Sequence, residues 1–268
     1  MKEMMKDTIF TFWESKDKMP EYVKMCIDSW KKYLADYEIV ILEYSNLDDY
    51  LGKDFYDDIL FEKFTIFQQT CALRAAVLER YGGIWLDAST IVTSPDIDRL
   101  FDDKSEFNIF ESRIACIKAK KHAKILKKWV RGIKCNLFKY KYLFDFYFKY
   151  FPYQTRNMLD WDYLSNRILK KLFKTKNKKT LNNISLLEAK AYPDILWDRE
   201  CNRRKFEKYL SDGFNHFYIK NDFSEYAKAN NNGLIILNHW WMPRKYATFT
   251  KDEVLSQNNT LSKLLSGV

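Results

Sequence analysis

The chain has 268 residues, 47% of them hydrophobic, with only seven Gly and five Pro; that is ample for a packed core and argues against long flexible linkers. Its formal charge of +9 comes without a helix-turn-helix, RNP or zinc-finger pattern, so nucleic acid is not an expected partner. The Cys residues at 26, 71, 116, 135 and 201 form no C-x-x-C pair and are odd in number, which speaks against a zinc site or a complete disulfide set and for a reducing cytosol; neither a basic-then-apolar leader nor a run near the roughly 20 apolar residues that span a bilayer is present.

In chain order, Thr8 to Trp13 (TIFTFW) reads as a short buried strand ending on an aromatic. Pro20 suits the first turn of a helix whose core face is Val23, Cys26, Ile27, Trp30 and Leu34, and residues 37–42 read as a second strand. A further helix carries Phe64, Phe67, Cys71, Ala75 and Leu78 at spacings of three and four, a single apolar face on which Arg74 also falls. A guanidinium in such surroundings needs an anionic partner, because leaving a buried charge unpaired costs about 3–5 kcal/mol. Asp87 or a bound diphosphate are the candidates. Gly82 can take the left-handed conformation that ends helices, Gly83 turns the chain into the strand Ile84-Trp85-Leu86, and Asp87 closes that strand. Taken singly, each of these is commonly structural: a turn, an ion pair, a cap.

Strand and helix alternation implies a parallel sheet with right-handed crossovers, in which ligands bind outside the carboxyl ends of the strands. Trp13 and Asp87 would both lie there.

Beyond residue 100 the charge becomes lopsided. Residues 118–141 hold ten Lys or Arg and no acid, residues 167–179 add seven more, and the first 60 residues are acidic by contrast. Leu126, Trp129, Val130, Ile133 and Leu137 recur at helical spacing within the first basic stretch, and residues 140–153 are crowded with Phe and Tyr. A solvated helix over the core is the plain reading. An anionic membrane surface is the other, since each Lys or Arg near such a leaflet gains about 1 kcal/mol. Asp162 and Tyr163 open a later helix, where Asp serves as an N-cap or as a ligand for sugar hydroxyls. Leu234 to Leu237 form a last short strand before Asn238-His239-Trp240-Trp241; a His in that position is ordinarily a hydrogen-bonded structural residue.

The block Arg74, Leu78 and Tyr81-Gly-Gly-Ile-Trp-Leu-Asp-Ala-Ser89 resembles the signature of the capsular polysaccharide synthesis glycosyltransferases and of glycosyltransferase family 32, which the large glucosylating bacterial toxins share. The pattern there is Ser-Asp-x-x-Arg, a helical stretch, then Gly-Gly-x-Tyr/Trp-x-Asp-x-Asp, the last part being the D-x-D element. Two positions depart from it. Thr70-Cys71 stand for Ser-Asp, and Ser89 stands for the second Asp, as in the Asp-Ala-Thr of many capsular members.

The resemblance implies an α/β, GT-A-like, Rossmann-type fold, a mostly parallel sheet flanked by helices with a helical acceptor-side insertion. It implies one domain over 1–268: a nucleotide-sugar-binding core at 7–101, a helical basic and aromatic region at 102–183 that is acceptor- or membrane-proximal, and a part at 184–250 that closes the site. The expected activity is transfer of a sugar from a nucleotide-diphosphate donor, a UDP-sugar, with retention, to a growing capsular or other cell-surface saccharide carried on polyprenyl diphosphate. The enzyme would be cytoplasmic, peripheral on the inner face of the plasma membrane. Arg74 and Asp87 are then catalytic; Trp13 is the platform for the base; Thr70, Gly83, Ala88 and Ser89 line the donor; His239, Trp240 and Trp241 cover it. Asp87, Ser89, Asn238 and His239 would hold Mn2+ or Mg2+, and Asp162 and Tyr163 would bind the acceptor. The chemistry suits the residue types, since a diphosphate leaves only when its growing charge is neutralised, and a hard cation held by one or two carboxylates and phosphate oxygens does that. The alternative is a non-catalytic sugar-nucleotide or membrane-surface binding protein with a degenerate D-x-D.

Overall fold

Thr65 opens the central helix by a reciprocal cap, its hydroxyl accepting from the Gln68 amide while the Gln68 side chain accepts from the Thr65 amide at 3.0 Å. The computed structural model in which this is seen describes residues 7–53, 55–56, 62–110, 113–152, 158, 160–174, 184–187, 233–237 and 242–267. Within them the elements are β1 (Thr8–Phe12), α1 (Glu21–Tyr33), β2 (Glu38–Leu42), α2 (Leu47–Leu51), α3 (Ile66–Tyr81), β3 (Gly83–Leu86), β4 (Thr90–Val92), β5 (Phe107–Phe110), β6 (Arg113–Ala119), α4 (Lys124–Tyr150), α5 (Asn166–Lys174), β7 (Ile184–Leu187), β8 (Leu234–Ile236), α6 (Lys251–Ser256) and α7 (Thr260–Leu265).

Six strands form one sheet in the order β2-β1-β3-β6-β5-β7, and β4 and β8 form a second, two-stranded one. β1 and β3 are parallel with Phe10 opposite Trp85, β5 and β7 are parallel, and β5 and β6 are antiparallel. The expected α/β class is therefore present, as a mixed sheet with helices packed on it.

Chain contacts divide the molecule into two compact units, one of Met1–Phe12, Val40–Trp85 and Asp102–Leu187, the other of Trp13–Ile39, Leu86–Phe101 and Glu188–Val268. The first is built around α3, on which every residue from Cys71 to Leu78 is buried. Because α3 is enclosed on all sides after its first turn, the expected single apolar stripe is replaced by all-round burial, and Phe67, in that first turn, is 41% exposed rather than core. α4 packs against α3 and α5. Its inner face is Ile125, Leu126, Trp129, Ile133 and Leu137, the predicted stripe except that Val130 is only half-buried. Ahead of α4, residues 107–110 and 113–119 supply β5 and β6 to the main sheet. Phe107 and Ile109 on β5, and Ile114, Cys116 and Ile117 on β6, are all buried; this strand signal is short and lies just ahead of the basic stretch.

In the second unit α1 packs on β4, and α6 and α7 pack on α1. Trp30 Nε1 donates to the Thr90 carbonyl at 2.6 Å, and Asn259 Nδ2 donates to the buried Tyr246 hydroxyl at 2.6 Å. Among the described residues no helix is long and apolar enough to cross a membrane.

Gly82 and Gly83 both have positive φ, 73° and 91°, so the helix-to-strand turn uses the conformation that other residues resist. A Cβ on Gly83 would also lie 2.5 Å from the Thr8 carbonyl oxygen of β1. Gly83→Ala is accordingly expected to lower stability by about 1–3 kcal/mol, measured by denaturant titration. A wild-type midpoint would contradict this account of the turn.

Candidate donor site

Phe10 pairs with Trp85 across two parallel strands, so β1 and β3 deliver the residues that follow them to the same sheet edge. Those residues are Trp13 and Asp87, each the first beyond its strand. Both are half-buried. Trp13 is thus neither a fully enclosed core residue nor a freely exposed one.

Asp87, Ala88 and Ser89 form the turn from β3 into β4. That turn is held from several directions. Trp30 Nε1 donates to the Thr90 carbonyl, and the Val92 amide donates to Ser29 Oγ at 2.9 Å. β8 pairs antiparallel with β4, with Thr90 opposite Ile236 and Val92 opposite Leu234. Beyond the ladder the Leu237 amide donates to the Ser89 carbonyl at 2.9 Å, and Ser89 Oγ donates to the Leu237 carbonyl at 3.2 Å. As the donor in that bond, the Ser89 hydroxyl keeps oxygen lone pairs for a cation or a ligand donor. A carboxylate on a turn fixed in this way needs little rearrangement when charge develops beside it.

The strand expected at Leu234 to Leu237 is present, and its pairing with β4 is what ties the end of the chain to the Asp87 turn. Asn238, His239, Trp240 and Trp241 follow Leu237 directly in sequence and lie outside the described residues.

Three donor candidates lie in the other compact unit. Arg74 is 1% exposed, so the burial expected for it is correct. Its guanidinium carbon stands 4.8 Å from the centre of the buried Trp85 ring, and Nη1 lies 4.0 Å from Cys71 Sγ. The face of an indole is a favourable neighbour for a desolvated guanidinium. Gly83 begins β3. Thr70 is half-buried, and its hydroxyl donates to the Ile66 carbonyl one turn earlier at 2.7 Å.

The two acceptor candidates diverge. Tyr163 is 6% exposed, its hydroxyl donates to the Asn136 carbonyl at 3.2 Å, and Asn136 Nδ2 returns a bond to the Tyr163 carbonyl at 2.9 Å. Burial pushes its phenol up to about 12. Tyr163 therefore fastens the segment ahead of α5 to α4 through its hydroxyl and carbonyl. Asp162 is half-buried and pairs with Arg167 at 3.1 Å, and Arg167 also binds Asp160. This carboxylate is tied to a cation on α5 rather than capping the helix through its side chain. Sequence reasoning missed the exposed Trp161, whose ring stands 5.7 Å from that of Phe67; an aromatic between two Asp residues is the signal that marks it.

Among the described residues no group of three or more His, Cys, Asp or Glu is arranged to hold a metal. One carboxylate with a hydroxyl two residues on does fit a hard cation that arrives with phosphate oxygens, since Mg2+ commonly uses only one or two protein carboxylates beside its substrate.

Residues 1–199 match the family model of the capsular polysaccharide synthesis protein. The chain belongs to that family. Solved structures similar to this capsular polysaccharide synthesis protein are described as glycosyltransferases. They include the PaToxG glycosyltransferase (14% identity, TM-score 0.39, 97% of this chain and 86% of that one). The galactosyltransferase LgtC in complex with donor and acceptor sugar analogues is another (10% identity, TM-score 0.45, 97% and 96%). A third is the glycosyltransferase GlyE of Streptococcus pneumoniae TIGR4 (12% identity, TM-score 0.45, 98% and 63%). No match was found among curated proteins.

Proposed function

We propose that this capsular polysaccharide synthesis protein is a glycosyltransferase that moves a sugar from a nucleotide-diphosphate donor, a UDP-sugar, to a growing cell-surface saccharide with retention of anomeric configuration. The observation that carries the reading is the Asp87-Ala88-Ser89 turn, fixed by β4, β8 and Trp30 beyond the carboxyl end of a strand parallel to the one that ends at Trp13. Trp13 stacks the base, Ala88 lines the donor, and Asp87 with Ser89 would hold the Mn2+ or Mg2+ that accompanies the diphosphate. That cation supplies Lewis-acid neutralisation of the leaving group.

Retention without a covalent intermediate follows if the acceptor hydroxyl attacks the anomeric carbon on the face from which the diphosphate departs. The new carbon–oxygen bond forms as the bond to the diphosphate breaks, and a diphosphate oxygen takes the hydroxyl proton. Arg74 stabilises the negative charge that develops on that group. Asp162 contributes to acceptor binding, and the acceptor is carried on polyprenyl diphosphate at the cytoplasmic face of the plasma membrane. The cationic excess of residues 118–141 supports that location.

The test is incubation with a panel of uridine and guanosine diphosphate sugars plus Mn2+ or Mg2+, reading release of the nucleoside diphosphate. Slow hydrolysis of one donor is the expected result. Binding without turnover for every donor would instead assign a non-catalytic role, consistent with Ser89 at the second D-x-D position. Base stacking on an aromatic is worth about 1–3 kcal/mol, so Trp13→Ala is expected to raise the donor KM about tenfold or more while the melting temperature stays near wild type. An unchanged KM would remove Trp13 from the donor site.

A further inference from the structure

The outward face of α4 combines two kinds of side chain that seldom share a solvated surface. Across its 27 residues the helix holds eight Lys or Arg and a single acid, Asp145. Its inner stripe is consumed by the core, which leaves the outer side to explain. There Phe138, Tyr142, Phe146 and Tyr150 follow one another at intervals of four residues, each more than half exposed, and so form one ridge. Two of its three neighbouring pairs touch, with centroids 4.6 Å apart for Phe138 and Tyr142 and 5.1 Å apart for Phe146 and Tyr150. Beside the ridge a groove of about 720 Å3 is floored by Phe55 and walled by Lys127, Arg131, Lys134 and Lys139. Lys134 Nζ lies 4.5 Å from the centre of the Phe55 ring. The carboxylate in this groove, Glu79, is 2.9 Å from His122.

Water alone gives no reason for a contiguous aromatic ridge, and exposed apolar patches mark contact surfaces. The composition selects the partner. The centre of a protein interface is depleted in Lys, whereas here lysines surround the rings. No helix-turn-helix, RNP or zinc-finger pattern accompanies the charge, which argues against a nucleic acid. An anionic bilayer satisfies both halves, because its phosphates attract Lys and Arg while aromatic rings settle at the headgroup level.

We propose that the outer face of α4 docks on an anionic bilayer, with the ridge Phe138, Tyr142, Phe146 and Tyr150 entering the interface and the Lys127, Arg131, Lys134 and Lys139 groove receiving a lipid phosphate. This deepens the membrane location proposed above and does not depend on sugar transfer, so it is read without any donor. The experiment is co-sedimentation with phosphatidylcholine vesicles and with phosphatidylcholine vesicles containing phosphatidylglycerol. Wild type is expected to pellet only with the second, and to be released by salt. A Phe138→Ser, Tyr142→Ser, Phe146→Ser variant and a Lys127→Glu, Arg131→Glu, Lys134→Glu variant, each with a wild-type circular dichroism spectrum and melting curve, are expected to lose at least about tenfold in partitioning. No vesicle binding, equal binding to both vesicle types, or variants that bind like wild type would overturn the proposal. So would sedimentation equilibrium showing a wild-type dimer that the ridge variant converts to monomer, or a single-stranded oligonucleotide that displaces the protein from vesicles and loses affinity with the same substitutions.

Discussion

Asp87→Asn is expected to reduce turnover at least about a thousandfold and to leave the fold as it is. The loss is large because the carboxylate's charge is the property used: an amide of the same shape keeps the packing of a half-buried turn but carries no formal negative charge to hold a hard cation against a diphosphate. Removing a single well-placed stabilising group from a site already costs about 100- to 1000-fold, and this one anchors the only charge that the Asp-Ala-Ser element brings. The fold is spared because the turn is secured by the backbone ladder between β4 and β8 and by the Trp30 and Ser29 bonds. Release of nucleoside diphosphate and a thermal melt, run on the same preparation, check both halves. Retained turnover by the Asn variant would remove Asp87 from the chemistry; a collapsed melt would make it a structural residue.

Arg74 behaves differently, since its side chain is among the largest that are fully buried. Arg74→Ala is expected to lose activity and stability together, the latter by about 2–5 kcal/mol, because it opens a cavity inside the first unit and removes the contact with Trp85. Arg74→Lys separates the two effects. Lys preserves the charge but not the planar fork that stacks on an indole and binds phosphate through two bonds. Activity is expected to fall about a hundredfold while most of the stability returns. A fully active Lys variant would mean that Arg74 is a packing residue whose charge alone is tolerated, and the role in diphosphate departure would pass elsewhere.

The local grammar around residues 64–92 is readable because each signal there is short-range. An apolar helix runs to Gly82, which ends it, Gly83 turns it, and three apolar residues make a strand that closes on Asp87. The burial of Arg74 was equally plain, an Arg in the middle of an apolar helix having nowhere else to go. What periodicity did not reveal is tertiary. Phe67 has the spacing of a core residue but sits in the one turn of α3 that neighbouring elements leave uncovered. Tyr163 has the look of a ligand residue, and the bond from its hydroxyl to Asn136 is not visible in the sequence. β5 and β6 are short strands next to a strong charge signal, so the charge read as the more telling feature. No local pattern shows that β8 lies against β4, because pairing between strands so far apart in sequence is decided by the whole fold.

That last pairing sets the order in which the molecule becomes competent during synthesis. The amide and carbonyl of Leu237 reach back to Ser89, and β8 supplies the second edge of β4. A ribosome that has made the first two hundred residues has therefore produced the Asp87 turn without the strand that steadies it. Such a nascent chain can assemble α3 and the main sheet early, domains generally folding from the amino terminus as they emerge, yet it holds the Asp87 turn by the Trp30 and Ser29 bonds and not by the β8 ladder. Capacity to process a donor would be acquired late and abruptly, when residues 234–237 dock, so partial chains released by premature termination should compete poorly for nucleotide sugars.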